Sequence, residues 1–319
     1  MAQVIVLGAK GRFGRAAASA FADAGWSVTA FGRNWEASSQ MDATRVDGDA
    51  KDHAALAAAC QGHDVIVNAI NPPYEHWAKE LPGLTASVIH AARTSGATVM
   101  IPGNVYNYGA GMPEVLREDT PWQPTTRKGT LRVEMEHAFK ASSVPTIVLR
   151  AGDFMEREKT GNWFDSYIAA KAQAGKITYP GPMDQIHAWA YLPDMARAMV
   201  HLAERRATFG PFEEFGFEGY TLTGTELVAL ISKTIGMRQK VSGMPWWLLR
   251  LIGLVSPQIR EVMEMRYLWQ VPHGIDGARF RKTVPEFVPT PVPAAFKAML
   301  GPQNVAQGRE SLSFSAHSA

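Results

Sequence analysis

The stretch VIVLGAKGRFG at residues 4–14 decides the fold of this chain. Its first four residues form a continuous apolar, β-branched run, which is typical of a strand buried on both faces of a parallel sheet. An alanine-rich segment over residues 12–24 predicts a helix that Gly25 ends. The glycine-rich segment therefore joins a buried strand to a helix.

The three glycines of this joint, Gly8, Gly11 and Gly14, have the spacing G-x-x-G-x-x-G. The first glycine permits a tight turn, the second lets a pyrophosphate approach the backbone, and the third lets the helix pack closely on the strand. The N-terminal N–H groups of the helix are then directed at the phosphates. The segment therefore predicts a dinucleotide site made by Gly8, Lys10, Gly11, Arg12, Phe13 and Gly14.

Strands and helices alternate through the rest of the first 150 residues. Apolar runs predict strands at 26–31, 44–46, 64–70, 98–101 and 146–150, and longer segments predict helices at 52–60, 80–95 and 130–141. Such alternation implies right-handed βαβ crossovers. We therefore expect an α/β fold with a doubly wound parallel sheet of the Rossmann type.

The pattern changes after residue 150, where aromatic and turn residues become more frequent and a further helix is predicted over 224–235. We expect a nucleotide-binding domain over 1–150 and a smaller, mostly helical substrate lobe over 151–302 whose segments return to the sheet. The small, polar stretch 303–319 is expected to be disordered. The apolar run 244–255 contains Arg250 and is shorter than the ~20 residues of a membrane-spanning helix. A buried helix is the expectation there, and contact with a membrane surface is the alternative.

Composition excludes several classes of protein. The chain has 319 residues, of which 46% are hydrophobic and 19% charged, so it is not a disordered chain. A net charge of +2 gives no general case for binding nucleic acid or an anionic membrane. The single cysteine, Cys60, excludes an intrachain disulfide framework and favours a reducing compartment, the cytoplasm. The N-terminus has no signal-peptide pattern, and the histidines have no metal-binding spacing.

The glycine spacing, placed so near the N-terminus, resembles that of the extended and atypical branches of the short-chain dehydrogenase/reductase superfamily. The resemblance covers about residues 1–235. Arg33 follows the second strand, where sites that prefer NAD carry an acidic residue for the ribose 2′-hydroxyl. A permanently charged guanidinium suits a 2′-phosphate instead, and Lys10 and Arg12 could add to that clamp. NADP is therefore favoured over NAD, with a solvated surface arginine as the alternative.

The resemblance also assigns roles at the ends of the third and fourth strands. It places Asp49 beside the adenine amino group, with Asp47 or Asp52 as the equivalent if the register shifts. Beside the nicotinamide ribose it places Asn68, Ala69 and Ile70. Asn68 could equally be a turn residue that ends its strand.

The catalytic pattern of the extended branch is incomplete in this chain. That branch carries a Ser or Thr before a Val-Tyr pair, followed by Tyr-x-x-x-Lys. Here Pro102 stands at the position of the hydroxyl, and Lys128 and Arg132 stand at the positions of the Tyr and the Lys. Isoflavone-reductase-like enzymes are more similar, because they carry a lone Lys with a basic residue four positions on and Glu eight positions on. Lys128, Arg132 and Glu136 match that spacing.

This second resemblance implies that Lys128 is the catalytic acid or base. The alternative is a solvated, basic helix start with a surface pair between Arg132 and Glu136. Tyr106 and Tyr108 are the other candidates for the proton donor, and the alternative for both is packing in the core or in the pocket wall. The candidate substrate-binding residues are Asn104, Tyr108 and His187, although Asn104 could instead cap a turn and His187 could be structural.

These residues predict an NAD(P)-dependent oxidoreductase or an epimerase/dehydratase-like enzyme that acts on a small carbonyl or hydroxyl substrate. The alternative is a non-catalytic NADP-binding sensor, similar to the nitrogen-regulator relatives of the superfamily. The expected partner is a small-molecule substrate, with no nucleic acid, no bound metal and no membrane span. Association into a homodimer is left open.

Overall fold

The structure of the protein, a computed structural model, describes residues 1–35 and 41–301. The predicted tail at 303–319 lies outside the described residues. The strands are β1 (Gln3–Leu7), β2 (Ser27–Gly32), β3 (Thr44–Asp47), β4 (Val65–Asn68), β5 (Thr98–Gly103), β6 (Val115–Leu116), β7 (Thr146–Arg150), β8 (Asp153–Met155), β9 (Lys176–Tyr179), β10 (Ile186–Tyr191), β11 (Phe212–Gly216), β12 (Tyr220–Thr223), β13 (Lys240–Gly243) and β14 (Gly274–Ile275).

Seven of these strands form one parallel sheet in the order β11-β7-β5-β4-β1-β2-β3. The chain builds outward from β1 in one direction and then, from β4, in the other. Leu7 at the end of β1 is in register with Phe31 of β2 on one side and with Asn68 of β4 on the other. The predicted doubly wound sheet of the Rossmann type is confirmed. In such sheets ligands bind outside the carboxyl ends of the strands where the direction reverses, here between β1 and β4.

Helices cover both faces of the sheet and make up most of the C-terminal lobe. They are α1 (Arg12–Asp23), α2 (His53–Ala59), α3 (Trp77–Ser95), α4 (Arg127–Ala141), α5 (Leu192–Glu204), α6 (Gly224–Ile235), α7 (Trp246–Ile252), α8 (Pro257–Glu264), α9 (Ala278–Thr283) and α10 (Val292–Leu300). The predicted bounds of α6 are reproduced because both of its ends are encoded locally. Thr223 and Glu226 form a capping box at the start, and Gly236 ends the helix in the left-handed conformation (φ 73°).

Two apolar layers enclose the sheet. One layer contains Phe13 and Phe21 of α1 together with Met195 and Met199 of α5. The other layer is formed by buried side chains of α2, α3 and α4, among them the fully buried Phe139. A third cluster forms the core of the C-terminal lobe and is rich in aromatic residues. Because α5 follows residue 150 but packs on α1, the later part of the chain helps to cover the sheet.

The expectation of a buried helix at 244–255 is wrong. Trp246 is half-buried and donates from Nε1 to the Pro180 carbonyl (2.8 Å). Most other side chains of this run face outward, and Trp247, Leu254 and Val255 are 70%, 73% and 85% exposed. A helix of seven residues packs only one side on the lobe. Because this run is apolar on all sides, its hydrophobicity does not show that the other side is exposed. Within the described ranges, no helix is long and apolar enough to cross a membrane.

Candidate functional site

The glycine loop adopts the tight turn that its sequence predicts. Gly8 has φ +74°, and its N–H donates to the Phe31 carbonyl (3.1 Å). A Cβ atom at Gly8 would lie 2.8 Å from the Ala69 carbonyl oxygen, and one at Gly14 would collide with the Gly8 carbonyl oxygen. The N–H of Gly11 donates to that same oxygen (2.9 Å). Glycine is therefore required at the first and third positions by the backbone itself.

Two further observations test whether these residues fit a dinucleotide. Helix α1 begins after Gly11, and in this described segment it has neither a side-chain cap nor an acidic residue in its first turn, so its N-terminal dipole is open to an anion. Across the loop, the buried Oδ1 of Asn68 finds no hydrogen-bond partner among residues 1–35 and 41–301. A phosphate at the helix and a ribose hydroxyl at Asn68 would satisfy both groups. The residues therefore fit a nicotinamide dinucleotide.

Basic residues meet at the ends of β2 and β3. Lys10 donates from Nζ to the carbonyls of Asn34 (2.7 Å) and Arg33 (3.2 Å). The Arg33 side chain is 64% exposed, and its Nη1 lies 3.4 Å from Oδ2 of Asp49. The structure thus brings together Lys10, Arg33 and Asp49, three of the predicted cofactor residues.

Arg12 makes its contacts with the C-terminal lobe instead. Its Nε donates to Oγ1 of Thr160 (2.7 Å) and its Nη2 to the Thr160 carbonyl (2.8 Å). The same Nε lies 3.1 Å from the carboxylate of Glu156, whose pKa is raised by burial. The expectation that the Arg12 side chain adds to the Lys10–Arg33 cluster is therefore corrected. Its side chain fastens the glycine loop to the lobe.

Lys128 is buried, which corrects the alternative of a solvated helix start. Only 1% of the residue is exposed. Its Nζ lies 2.5 Å from Oε2 of Glu264 and also pairs with the carboxylate of Glu261, both on α8. The Lys128 N–H donates to the other Glu264 oxygen (2.9 Å). Helix α8 therefore closes over the amino group and neutralises it.

Glu136 does not form the expected surface pair with Arg132. It is fully buried, and its Oε2 accepts from Nη2 of Arg150 at the end of β7 (2.7 Å). Arg150 also donates from Nε to Glu214 (2.5 Å) and from Nη1 to the Asn104 carbonyl (2.6 Å). The Tyr108 hydroxyl donates to the same Glu214 oxygen (3.2 Å). The predicted substrate residues Asn104 and Tyr108 thus take part in a buried ion cluster.

Arg132 instead turns toward the loop that follows β4. Its Nη2 donates to Oδ1 of Asn71 (3.1 Å), and its guanidinium lies 4.3 Å from the ring of Trp77. Burial lowers the pKa of Arg132. Trp77 meets Tyr74 edge to face, with ring centroids 5.0 Å apart. Arg132 therefore supports the position of Tyr74.

Tyr74 connects the two predicted catalytic residues. Its hydroxyl lies 3.2 Å from the Tyr106 hydroxyl, and its ring lies 5.1 Å from Nζ of Lys128. Burial raises the pKa of Tyr106 well above its ordinary value, and Tyr74, Asp153 and Tyr267 act in the same direction. Tyr106 therefore stays protonated at neutral pH and can only give up a proton to a strong base, such as a forming alkoxide.

His187 lies in the aromatic part of the lobe. Its Nε2 is 2.8 Å from Oδ2 of Asp153, and its ring stacks on Trp269 at 4.2 Å between centroids. His273 lies against it edge to face at 4.6 Å. Burial and the neighbouring His187 lower the pKa of His273 to about 3, so that ring is neutral. Asp153 raises the pKa of both Tyr106 and His273, so the carboxylate that contacts His187 also lies within electrostatic reach of Tyr106.

Sequence reasoning missed Tyr74, Asp153, Glu261 and Glu264 as site residues. Tyr74 and Asp153 follow the carboxyl ends of β4 and β7, where ligands bind in parallel sheets, and that position could have identified them. The two glutamates have no such signal, because they reach Lys128 from 133 and 136 positions further along the chain. No group of three or more metal-ligating side chains is found in the described part of the chain.

Comparison with known proteins relates the chain to a family and to a fold. The family described as NAD(P)H-binding matches residues 8–178. A comparison with curated proteins finds no significant sequence match.

Solved structures match along nearly the whole length. The UDP-N-acetylglucosamine 4-epimerase from Bacillus cereus matches with a TM-score of 0.74 at 13% identity, over 94% of this chain and 99% of that one. The UDP-glucose 4-epimerase from Bifidobacterium longum, in complex with NAD⁺ and UDP, matches with a TM-score of 0.73 at 15% identity, over 97% and 99%. The UDP-glucose 4-epimerase from Brucella ovis, in complex with NAD, gives 0.72 at 15% identity, over 94% and 98%. At these identities the likeness is one of fold.

Proposed function

Because the chain belongs to the NAD(P)H-binding family, we propose that it is an NADP-dependent oxidoreductase or epimerase-like enzyme for a small carbonyl or hydroxyl substrate. The observation that carries the proposal is the Tyr74–Tyr106 hydroxyl pair, whose members follow the carboxyl ends of β4 and β5. A protonated tyrosine at the carboxyl edge of a nucleotide-binding sheet is suited to protonate a substrate oxygen. The fold shared with solved epimerases agrees with this assignment.

The preference for NADP is supported by the cations at the end of β2. Lys10 holds the backbone of Arg33 and brings its own charge to the same place. A guanidinium there adds charge-assisted hydrogen bonds to a 2′-phosphate, each worth about 1.5–3 kcal/mol. The partly exposed carboxylate of Asp49 contacts the Arg33 guanidinium at a single long distance, so a phosphate can take its place.

The cofactor preference is tested by fluorescence titration with NADPH and with NADH. Arg33→Ser is expected to weaken NADPH binding by at least about tenfold. It is expected to leave NADH binding within about twofold, since NADH lacks the 2′-phosphate. Arg281→Ser, in an exposed ion pair elsewhere, is the matched control and is expected to change neither affinity. Equal affinities of the unchanged protein for the two nucleotides would refute the preference.

In the proposed reaction a bound nicotinamide supplies or accepts the hydride. Tyr106 donates its proton to the substrate oxygen, and Tyr74, whose hydroxyl lies 3.2 Å away, replaces that proton. Lys128 is held over the Tyr74 ring by a cation–π contact, which helps to fix the position of that ring. Direct contact between Lys128 and a substrate requires α8 to move, because Glu261 and Glu264 occupy its amino group.

Two variants separate these roles. Tyr106→Phe is expected to lower kcat by at least about 100-fold, the usual contribution of a positioned acid, with unchanged NADPH affinity. Lys128→Met is expected to lower kcat as well, but it leaves two carboxylates without their cation. Lys128→Met with Glu264→Gln removes one of those charges and so distinguishes lost chemistry from lost folding. Normal turnover in both Tyr106→Phe and Lys128→Met would overturn this mechanism.

A small, apolar carbonyl compound is the proposed substrate class. Asp153 contacts His187, whose ring packs against those of Trp189 and Trp269, so the surroundings of this carboxylate are aromatic. The nearby cation Lys128 is already paired with two carboxylates, so the diphosphate of a nucleotide sugar gains little from it. Oxidation of NADPH across a panel of aromatic aldehydes, ketones and UDP-sugars tests this choice. Activity restricted to the UDP-sugars would contradict it.

A non-catalytic NADP sensor is the second candidate, and a specific observation favours it. Pro102 takes the position of the expected hydroxyl, and α8 seals Lys128. A sensor would bind NADPH tightly and show no turnover across the panel, in Glu264→Gln as in the unchanged protein. Turnover that depends on Tyr106 would exclude this candidate.

A further inference from the structure

An exposed apolar surface surrounds α7. We define this α7 surface by the outward side chains of the run that follows Trp246, which are Trp247, Leu248, Leu251, Ile252, Leu254 and Val255. Leu251 is 56% exposed and Val255 is 85% exposed. Large apolar side chains that adjoin in this way mark an interaction surface on a folded protein, whereas scattered ones need no explanation.

The charged residues of the segment that carries the α7 surface are all positive. Residues 236–260 contain Arg238, Lys240, Arg250 and Arg260, and this stretch has no Asp or Glu. All four cations are exposed. The first acids that follow, Glu261 and Glu264, are turned inward and paired with Lys128. The surface is therefore apolar and cationic together.

We propose that the α7 surface docks on a phospholipid bilayer that contains anionic lipids. An apolar face flanked by Lys and Arg is the composition of helices that lie in the membrane interface, where Trp also prefers to lie. A bilayer offers both an apolar layer and negative charge. A second copy of this chain would instead bring four cations against four cations. With seven residues α7 is too short to span, and it lies at the interface.

An aromatic path connects this surface with the candidate site. Trp246 of α7 lies 6.2 Å from Trp163, and Trp163 lies 5.2 Å from Trp269, measured between ring centroids. Trp269 stacks on His187. Contacts between aromatic rings therefore run from α7 to His187, so a movement of α7 on a bilayer that holds an apolar substrate would reach the candidate site. This consequence rests on the proposed function, whereas docking on the membrane does not.

Vesicle sedimentation with the full chain tests the proposal. The protein is expected to sediment with vesicles of phosphatidylcholine and phosphatidylglycerol at 7:3, less with phosphatidylcholine alone, and less at high salt. Replacing both Leu254 and Val255 by Ser is expected to lower the partition coefficient at least about tenfold. Arg250→Gln is expected to lower it about fivefold, which corresponds to about 1 kcal/mol for one cation near an anionic surface.

Matched controls come from exposed residues elsewhere. Val288→Ser removes a side chain that is 72% exposed, and Lys282→Gln removes an exposed cation. Both are expected to bind vesicles like the unchanged protein, and circular dichroism checks that every variant is folded. Three results would overturn the proposal. The first is that the protein does not sediment with anionic vesicles, and the second is that the Leu254/Val255 variant binds them as well as the unchanged protein does. The third is that the unchanged protein binds no vesicles but forms a dimer, and that the Leu254/Val255 variant is a monomer.

If the protein binds anionic vesicles but oxidises no NADPH with any carbonyl compound of the panel, the proposed function is contradicted and the membrane proposal is not. If the protein reduces a water-soluble carbonyl compound but does not bind vesicles, the membrane proposal is contradicted and the proposed function is not. The two proposals therefore fail separately.

Discussion

Replacing Arg150 by Met is expected to lower the free energy of unfolding by about 3–5 kcal/mol. Arg150 is 1% exposed and binds two carboxylates, those of Glu136 and Glu214. Glu136 is fully buried, so neither water nor counterions can replace the guanidinium there. A methionine has a similar length and no charge, and it leaves two buried acids beside each other. Domains are commonly stable by only 5–15 kcal/mol, so the loss is a large share of the total.

Urea unfolding followed by tryptophan fluorescence measures this loss. With a slope of about 3 kcal/mol per M, the midpoint is expected to fall by about 1–1.7 M. The matched control is Arg281→Met, which breaks an ion pair with Glu218 whose two side chains are 55% and 54% exposed. That change is expected to cost less than about 1 kcal/mol, because water screens an exposed pair.

A second variant tests the cause of the loss. Adding Glu136→Gln to Arg150→Met removes one of the two unpaired charges and is expected to restore part of the stability. The reasoning is refuted if Arg150→Met costs no more than Arg281→Met, or if the added Glu136→Gln brings no recovery.

Two other changes have defined outcomes. Gly8→Ala forces φ +74° on a residue with a Cβ and drives that atom to 2.8 Å from the Ala69 carbonyl, so NADPH titration is expected to show at least about tenfold weaker binding. Gly25→Ala is the control, because Gly25 has φ +78° but open space around it. It is expected to cost about 1 kcal/mol of stability and to leave NADPH affinity unchanged. An equal loss of NADPH affinity in the two variants would contradict this reasoning. His273, with its pKa lowered from 6.5 to about 3, contributes stability that is present above pH 6.5 and is lost as the pH falls toward 3, by up to about 1.4 kcal/mol per pH unit. His273→Gln is expected to weaken the dependence of the unfolding free energy on pH between pH 6.5 and 4. His90→Gln, at an exposed histidine, is the control and is expected to leave that dependence unchanged. The same pH dependence in all three proteins would argue against the assignment.

The parts of the fold that sequence predicts best are those encoded by neighbours in the chain. The glycine loop is predicted from its sequence because Gly8 needs a positive φ and Gly14 lies against the Gly8 carbonyl oxygen. Both requirements arise within seven residues. Helix α6 carries its own start and stop signals, so its bounds are predicted to the residue. The sheet follows from the alternation of such local units.

The site depends on partners that the local pattern does not show. The spacing of Arg132 and Glu136 suggests a surface pair, but Glu136 faces the sheet, where Arg150 provides a stronger partner. The alternative of a solvated Lys128 is also wrong, because α8, which is distant in sequence, closes over the amino group. Both errors have one physical origin, because a helix period shows which residues share a side but not what lies opposite that side.

The return of β11 to the sheet has a consequence for biosynthesis. Phe212 pairs with Thr146 at the edge of the sheet, and α5 covers α1 only after residue 192 has been made. A ribosome that has released only the first 150 residues has therefore exposed a sheet with one uncovered layer and an open edge. Such an intermediate is prone to aggregate, so the growing chain is expected to need a holding chaperone until β11 emerges.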